Sequence, residues 1–434
     1  MTDRNTIIQN IAESVKKIPI LSSHEHLCYE ADAIEAVSSG ISDILHLFTI
    51  HYIRSDFISA GAKEADLDYI GASDKPMLKR FEVFRRIADR CLNTTQFRSL
   101  RKGLSDLYDG DILNASDMQR MDELRKNMHR PGVYKKVLQE KAGIKKMVRD
   151  CGPHFEEPEY FSVAVRLEEW LGVSSANELR VLEAESGIAI HGLADMVDAF
   201  RNQAEKFIDK GIACFKSAML YWRDPVVAPV IRDDAERAFQ RMVQTRTAEW
   251  NVGKLAWSPE LRSLQDYLVY ELCDIASSRK VPLQVHTGIP EGNCLSCDRG
   301  NPLKIFNLIQ SFPTLEFHLL HMGHPYEREV VSASKSFPNV IVDCSWIHQL
   351  NQVSAQFYLD YLLDEVPRWK IIAFGGDYGH MEGVYSSSII ARLNISSVFM
   401  KRIERGACNF EEALETAHML LFTNPNRHLF KNQL

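Results

Sequence analysis

The sequence predicts an α/β protein, a distorted (β/α)8 barrel with a helical insertion after its first strand. Three observations lead there. Eight short apolar runs recur along the 434 residues, most of them separated by stretches of helical periodicity. Repeated strand–helix units make a parallel sheet, and eight of them suffice to close it on itself. Several runs also end on a polar, chemistry-bearing side chain, at the strand ends where barrels of this kind carry their sites. A doubly wound open sheet is the structural alternative.

The first run, 18–21, leads into Leu-Ser-Ser-His-Glu-His over 21–26. From 28 to 141 the chain reads as helical, with 31–48, 75–91 and 117–128 rich in Leu, Ile, Ala, Arg and Glu. This block is read as an insertion within one domain, 1–434, and its position and length suggest that it covers the mouth of the barrel. Strands two and three are expected at 143–149 and 161–167. A helix over 191–210 stops at Gly211, a favourable residue just past a helix end. Strand four, 212–215, closes on Lys216. Helical stretches at 231–247 and 259–279 lead to strand five, 281–285, closing on His286. A helix over 301–312 precedes strand six, 315–320, closing on His321. A helix over 325–336 precedes strand seven, 340–342, closing on Asp343. A helix over 352–365 precedes strand eight, 371–374, followed by two glycines and Asp377. The remainder, 384–432, is helical.

The composition, 45% hydrophobic and 25% charged, is that of a soluble globular protein. A net charge of −7 without a basic block argues against nucleic acid as a partner. No apolar run is long enough to span a bilayer, and the first residues lack the apolar core of a secretory signal. Nine scattered cysteines suit free thiols in a reducing compartment, so a cytoplasmic protein is expected. Cys294 and Cys297 form one C-x-x-C pair. A zinc ribbon needs a second, so these two are read as loop thiols.

In a strand, residues two apart point to the same side, so His24 and His26 can aim two imidazoles at one point. With His286 and Asp377 they make a set of three borderline-soft nitrogens and one hard oxygen. That set suits a divalent ion, Zn²⁺ first, with Mn²⁺ or Fe²⁺ as alternatives. Such an ion would bring a water's pKa towards neutrality and make it a nucleophile. Asp377 would then take the water's proton and pass it to the leaving group. His321 would hydrogen-bond the developing oxyanion or the attacking water. His318, three residues earlier, is expected to be packed, whereas His324 lies in the following loop and can reach substrate. Tyr221 and Arg223 follow strand four as substrate-binding candidates, since arginine grips carboxylates in a fork. Arg166 and Arg54 are weaker candidates of the same kind. Trp346 reads as an apolar wall and His191 as a helix start, while His51 and His154 carry no clear direction.

The pattern resembles the amidohydrolase superfamily of metal-dependent barrels. That group is marked by H-x-H on strand one, histidines on strands five and six, and an aspartate on strand eight, matching His24, His26, His286, His321 and Asp377. The resemblance runs from residue 17 to Arg427. A narrower likeness rests on Pro-Leu-Gln-Val-His-Thr-Gly over 282–288, Asn-Pro-Leu over 301–303, Leu-His-Met-Gly-His-Pro over 320–325 with Glu327 and Glu329, Pro-Asn-Val over 338–340 with Asp343, and Phe-Lys-Ser over 215–217 with Tyr221 and Arg223. It is similar to the amidohydrolase-like domain fused to glutamine synthetase-like domains in nodulin-type and fungal developmental proteins. The fusion partner is expected to be missing here.

The resemblance implies that Lys216, at the end of strand four, is either carbamylated and bridges two metals or remains a cation. As a cation it would bind a substrate carboxylate or pair with Asp377 or another acid. One ion or two are therefore both open. The expected activity is metal-dependent hydrolysis of a C–N, amide-type bond in a small polar molecule. The alternatives are a uronate-isomerase-like reaction and a single-metal decarboxylation. Against the isomerase, Asp377 is followed by Tyr-Gly-His rather than Ser-Arg, and strand five carries His286. A metal-binding scaffold without catalysis is a further alternative. A homo-oligomer is common among such barrels.

Overall fold

A computed structural model describes residues 4–245 and 259–434. Its eight strands are β1 (Ile20–Glu25), β2 (Ile144–Arg149), β3 (Phe161–Val165), β4 (Cys214–Ser217), β5 (Leu283–Val285), β6 (Phe317–Leu319), β7 (Val340–Asp343) and β8 (Ile371–Ile372). They lie in sequence order in one sheet, and every neighbouring pair is parallel. The chain after β8 returns against β1. Ser23 N donates to Phe374 O at 3.0 Å, Asp377 N to His24 O at 3.0 Å and His26 N to Tyr378 O at 3.1 Å. These bonds bring the sheet close to closure and make the expected (β/α)8 barrel.

Short runs of Val, Ile, Leu and Phe form these strands because both faces are covered, so no polar alternation is needed. The helices outside are amphipathic. Leu193–Asp209 buries Met196, Ala199, Phe200, Ala204 and Phe207, one stripe at helical spacing, and the chain leaves it through Gly211 at φ 85°. The helix expected over 231–247 is Arg232–Gln244, and residues 246 and 247 lie outside the described residues. The one expected over 31–48 is shorter. Glu30–Ser38 ends before Gly40, which has φ 78°, and a single 3-10 turn, His46–Phe48, follows. The glycine's left-handed backbone outweighs the helical periodicity on either side.

Between β1 and β2 the chain forms five α-helices beyond Glu30–Ser38's neighbouring turn, namely His51–Ser59, Glu64–Gly71, Met77–Ala88, Thr95–Tyr108 and Ala115–Met128. They share a core with the barrel through Phe48, Phe57, Phe84 and Phe97, whose rings lie 4.8–6.4 Å apart. The 24-residue helix Met381–Glu404 packs against Thr95–Tyr108 and is buried on nearly all sides.

The inside of the barrel explains where the site must be. Leu21, Val148, Ala164, Cys214, Ile341 and Ile372 form one apolar floor, closed from below by Leu429 and Phe430. Side chains two positions further along a strand face the same way. Val148 is thus followed by Asp150, Ala164 by Arg166, Cys214 by Lys216 and Ile341 by Asp343. On β1 the step from Leu21 to His24 is odd. The ladder shifts register between Ser22 and Glu25, which brings His24 and His26 into phase.

Candidate metal centre

His24, His26 and Asp377 come together as a compact trio at the C-terminal ends of β1 and β8. One donor atom from each lies within 4.8 Å of the others. Asp377 Oδ1 is 3.3 Å from His24 Nε2 and 3.1 Å from His26 Nε2. The Nδ1 of His26 sits 2.7 Å from the carbonyl of Asp150, and donating a proton there leaves Nε2 with a lone pair. That lone pair faces a carboxylate oxygen. Two electron pairs that face each other need a positive charge between them, either a proton on the ring or a metal ion. Two imidazoles and a carboxylate, nearly all buried, are a fitting donor set for a divalent cation.

The local charges agree. Burial opposes ionisation of Asp377, but the charges and hydrogen bonds of His24 and His26 prevail and hold it well below the usual carboxylate range. Burial pulls His26 down, yet Asp377 outweighs it and raises the ring. His24 falls to about 4, through burial first and the charge of Lys216 second. At neutral pH Asp377 is therefore a carboxylate and His24 a neutral ligand.

Asp377 stands on a constrained loop. Its φ is 58°, a left-handed value uncommon for a residue with a side chain. Glu25 holds the loop from behind, accepting Gly376 N at 2.8 Å and Tyr378 N at 3.2 Å. A Cβ on Gly376 would come within 2.6 Å of that carboxylate, so only glycine fits. Burial raises Glu25 to about 8, and Ser22 Oγ donates to it at 2.7 Å. His51, His321 and Trp346 also have positive φ, so four such non-glycine residues gather around one opening. Strain of this kind, about 1–3 kcal/mol per residue, concentrates at functional sites.

The other predicted residues divide. His321 is fully buried, with Nε2 3.1 Å from His286 Nδ1 and Nδ1 3.7 Å from Asp377 Oδ2. Burial lowers it to about 3. His286 lies outside the compact trio. Its Nδ1 is engaged with His321, and its Nε2 faces Ile289 O at 3.2 Å and the Tyr221 hydroxyl at 3.5 Å. It is held neutral by burial and by His321. Tyr221 accepts Glu291 N at 2.8 Å and so fixes the loop after β5 beside the site. Lys216 lies 3.2 Å from His24 Nε2 and 3.9 Å from Asp150 Oδ2. Its paired acid is thus Asp150. Burial, partly offset by Asp150, lowers it to about 8. His324 flanks the opening and is tied to Glu327 at 2.5 Å.

Arg223 corrects an expectation. Its side chain is 0% exposed and points away into the helix Arg262–Ser278, pairing with Asp266 and bonding Gln265 at 3.0 Å. Its Nε bonds the carbonyl of Asp224, and the nitrogen that pairs with Asp266 also bonds the carbonyl of Val226. A guanidinium so engaged has no fork left for a substrate. Arg166, just past β3, stays at the opening. It grips Asp150 through bonds of 2.8 and 2.6 Å and keeps 39% of its side chain exposed. Arg54 pairs with Glu64 on the insertion, and His154 is exposed. His191 precedes the helix Leu193–Asp209 as expected, its N–H bonding Asp195 at 2.9 Å.

Two residues at the site were missed. Asp150 closes β2, and the rule used for the other strands would have found it. Burial opposes its charge, but Arg166 and Lys216 prevail and keep it ionised. Tyr52 comes from the insertion helix His51–Ser59 and donates its hydroxyl to Asp377 Oδ2. Its ring stacks on Trp346 at 3.9 Å, and Trp346 meets His321 edge-on at 5.4 Å. The insertion therefore reaches Asp377 directly, and Trp346 packs between Tyr52 and His321.

Residues 225–396 match the family model described as amidohydrolase. Protein fluG of Emericella nidulans is 27% identical over 233 residues, 52% of this chain and 26% of that protein, so the match spans about a quarter of that relative's length. A Lactobacillus casei protein described as a metal-dependent hydrolase superposes with a TM-score of 0.69 at 16% identity, covering 98% of each chain. Glucuronate isomerase from Caulobacter crescentus superposes with a TM-score of 0.77 at 15% identity, covering 100% of this chain and 95% of that one. At such identities the likeness is one of fold.

Proposed function

For this chain we propose membership of the amidohydrolase superfamily and the activity of a metal-dependent hydrolase that cleaves a C–N, amide-type bond of a small polar substrate. The observation that carries the reading is the trio of His24, His26 and Asp377, with neutral His286 and His321 packed edge-on to each other beside it. His24, His26 and Asp377 would hold the ion, Zn²⁺ first and Mn²⁺ or Fe²⁺ otherwise, with His286 within reach as a further ligand. Bound there, such an ion supplies Lewis acidity and a water acidic enough to attack at neutral pH.

The chain's own groups then have defined tasks. Asp377, ionised, accepts the attacking water's proton at Oδ2 and returns it to the leaving nitrogen. Tyr52 donates to that same oxygen and sets its direction. His321 is neutral and can donate to an oxyanion through Nε2 once it releases His286. Arg166, half exposed beside Asp150, offers a cation for an anionic substrate group. Tyr221 and His324 border the same opening. Trp346 and the insertion helix exclude water from one side.

A second reading is a uronate-isomerase-like reaction. It is favoured by the compactness of the trio without His286 and by the full-length likeness to a glucuronate isomerase. The first experiment measures metal per chain in protein made without chelators, for wild type and His24→Ala. A panel of amides, lactones and uronates in ¹⁸O-water follows. Amine release with ¹⁸O in the acid product supports hydrolysis. Uronate conversion without ¹⁸O uptake in place of amine release supports the isomerase. Wild-type protein that takes up no added metal would sink both.

A further inference from the structure

A second group of metal-ligating side chains lies at the opposite end of the barrel, among the described residues: Glu316, His318 and His428. One donor atom of each lies within 4.8 Å of the others. Glu316 immediately precedes β6, and His318 is within it. His428 comes from the helix Asn424–Leu429, whose last residue, Leu429, and the following Phe430 close the apolar floor. His428 is more than a hundred positions from the other two in sequence, and the plug brings it to them.

The arrangement is hard to explain as packing. His318 is 0% exposed, and neither ring nitrogen has a hydrogen-bond partner. A buried polar group left unbonded is costly, and here there are two on one ring. The Nε2 of His318 lies 3.5 Å from Glu316 Oε2, close but without hydrogen-bond geometry. His428 is oriented as metal-binding histidines are. Its Nε2 is 3.0 Å from the carbonyl of Trp369, and donating there leaves a lone pair on Nδ1. That Nδ1 lies 2.8 Å from Glu316 Oε2. Trp369 stacks on the ring at 5.7 Å and fixes its plane. Zinc bonds of about 2.0–2.1 Å in a tetrahedron set ligand atoms about 3.3 Å apart. The separations of 2.8 and 3.5 Å straddle that value. Glu316 is 42% exposed, so an ion can enter and solvent can fill a fourth position.

We propose that Glu316, His318 and His428 form a second, structural site for Zn²⁺ or a similar borderline divalent ion, stapling the C-terminal plug to β6. The proposal stands apart from the reading of the mouth. It contributes to holding the barrel floor closed, and no catalytic step depends on it. The rival account is a plain ion pair between Glu316 and a protonated His428.

The test is a Zn²⁺ titration of the full chain, stripped of metal beforehand, read by metal analysis after dialysis and by melting temperature. Wild type is compared with His24→Ala/His26→Ala, His428→Gln and Glu316→Gln. The expected result is that wild type holds one more ion per chain than either floor variant. The mouth double variant keeps one ion, and that ion raises its melting temperature. Floor variants that hold as many ions as wild type, or a mouth variant that holds none, overturn the proposal in favour of the ion pair. Failure of the mouth reading looks different, because the mouth variant would then match wild type and a floor variant would hold none. Glu316→Gln, nearly isosteric, decides the matter if His428→Gln does not fold.

Discussion

The two ends of the barrel are built from the same strands and differ by two residues along each. At the floor the inward positions are Val148, Ala164, Cys214 and Ile341, and at the mouth Asp150, Arg166, Lys216 and Asp343. The floor is apolar because it is sealed by Leu429 and Phe430, and unpaired charge there would be costly. The mouth is buried apart from Arg166, yet it is crowded with ionisable groups, and almost every one leans on another. Asp150 is held by Arg166 and Lys216, and Asp377 by His24, His26 and Tyr52. One end thus supplies stability, and the other spends it on a preorganised site.

That division is open to experiment. The largest expected effect is on chemistry at the mouth. Asp377→Asn should lower kcat/KM by about 10²–10⁴-fold, the range for a lost general base, while far-UV circular dichroism stays that of wild type. Wild-type turnover in this variant would remove Asp377 from the mechanism. At the other end, Phe430→Ala should cost about 3–5 kcal/mol in urea unfolding and leave kcat unchanged. If kcat falls as steeply as stability, the two ends are not independent.

Acid sensitivity should arise behind the mouth. His348 is buried, its ring nitrogens facing Ala373 O at 2.8 Å and Asn394 Nδ2 at 3.3 Å, and burial lowers it to about 4. Above pH 6.5 the ring is neutral in folded and unfolded chains alike. Between pH 6.5 and about 4 only the unfolded chain takes up the proton, so stability falls as pH falls across that window. The contribution of this one residue is about 3 kcal/mol. His348→Gln should flatten the pH dependence of the unfolding free energy by that order, and an unchanged slope would place the proton uptake elsewhere. The smallest effect is expected from Tyr52→Phe, which removes one hydrogen bond to a charged group. A loss of about 1.5–3 kcal/mol, roughly ten- to a hundredfold in kcat/KM, would show that the insertion takes part in the mouth. No change would reduce the insertion to a cover.

Much of this protein was legible in one dimension. All eight strands were found, because a strand covered on both faces must be a short apolar run and little else along the chain looks like one. His24, His26, His321 and Asp377 were found because each closes such a run or its turn. Asp150 directly follows the run expected as strand two, so the same strand-end rule reaches it even though Lys145, Lys146 and Arg149 make that run less apolar than the others. The two glycines before Asp377 are plain in the sequence, but what crowds them is not: Gly375 lies against Ser23 and Ser345, and Gly376 against Glu25.

By itself the sequence determined the order of strands, the residue at each strand end and therefore the end of the barrel that carries the chemistry. Those follow from local periodicity, which reaches only a few residues. Tertiary structure decided which of the polar residues meet. Arg223 and Arg166 are both arginines just past a strand, and nothing local distinguishes them. Asp266 draws one into the helical layer, and Asp150 holds the other at the opening. Tyr52 reaches Asp377 from 325 positions away, and His428 reaches Glu316 from 112. Contacts of that range depend on how insertion and plug dock on the barrel, and docking is a property of packed surfaces rather than of any stretch of chain.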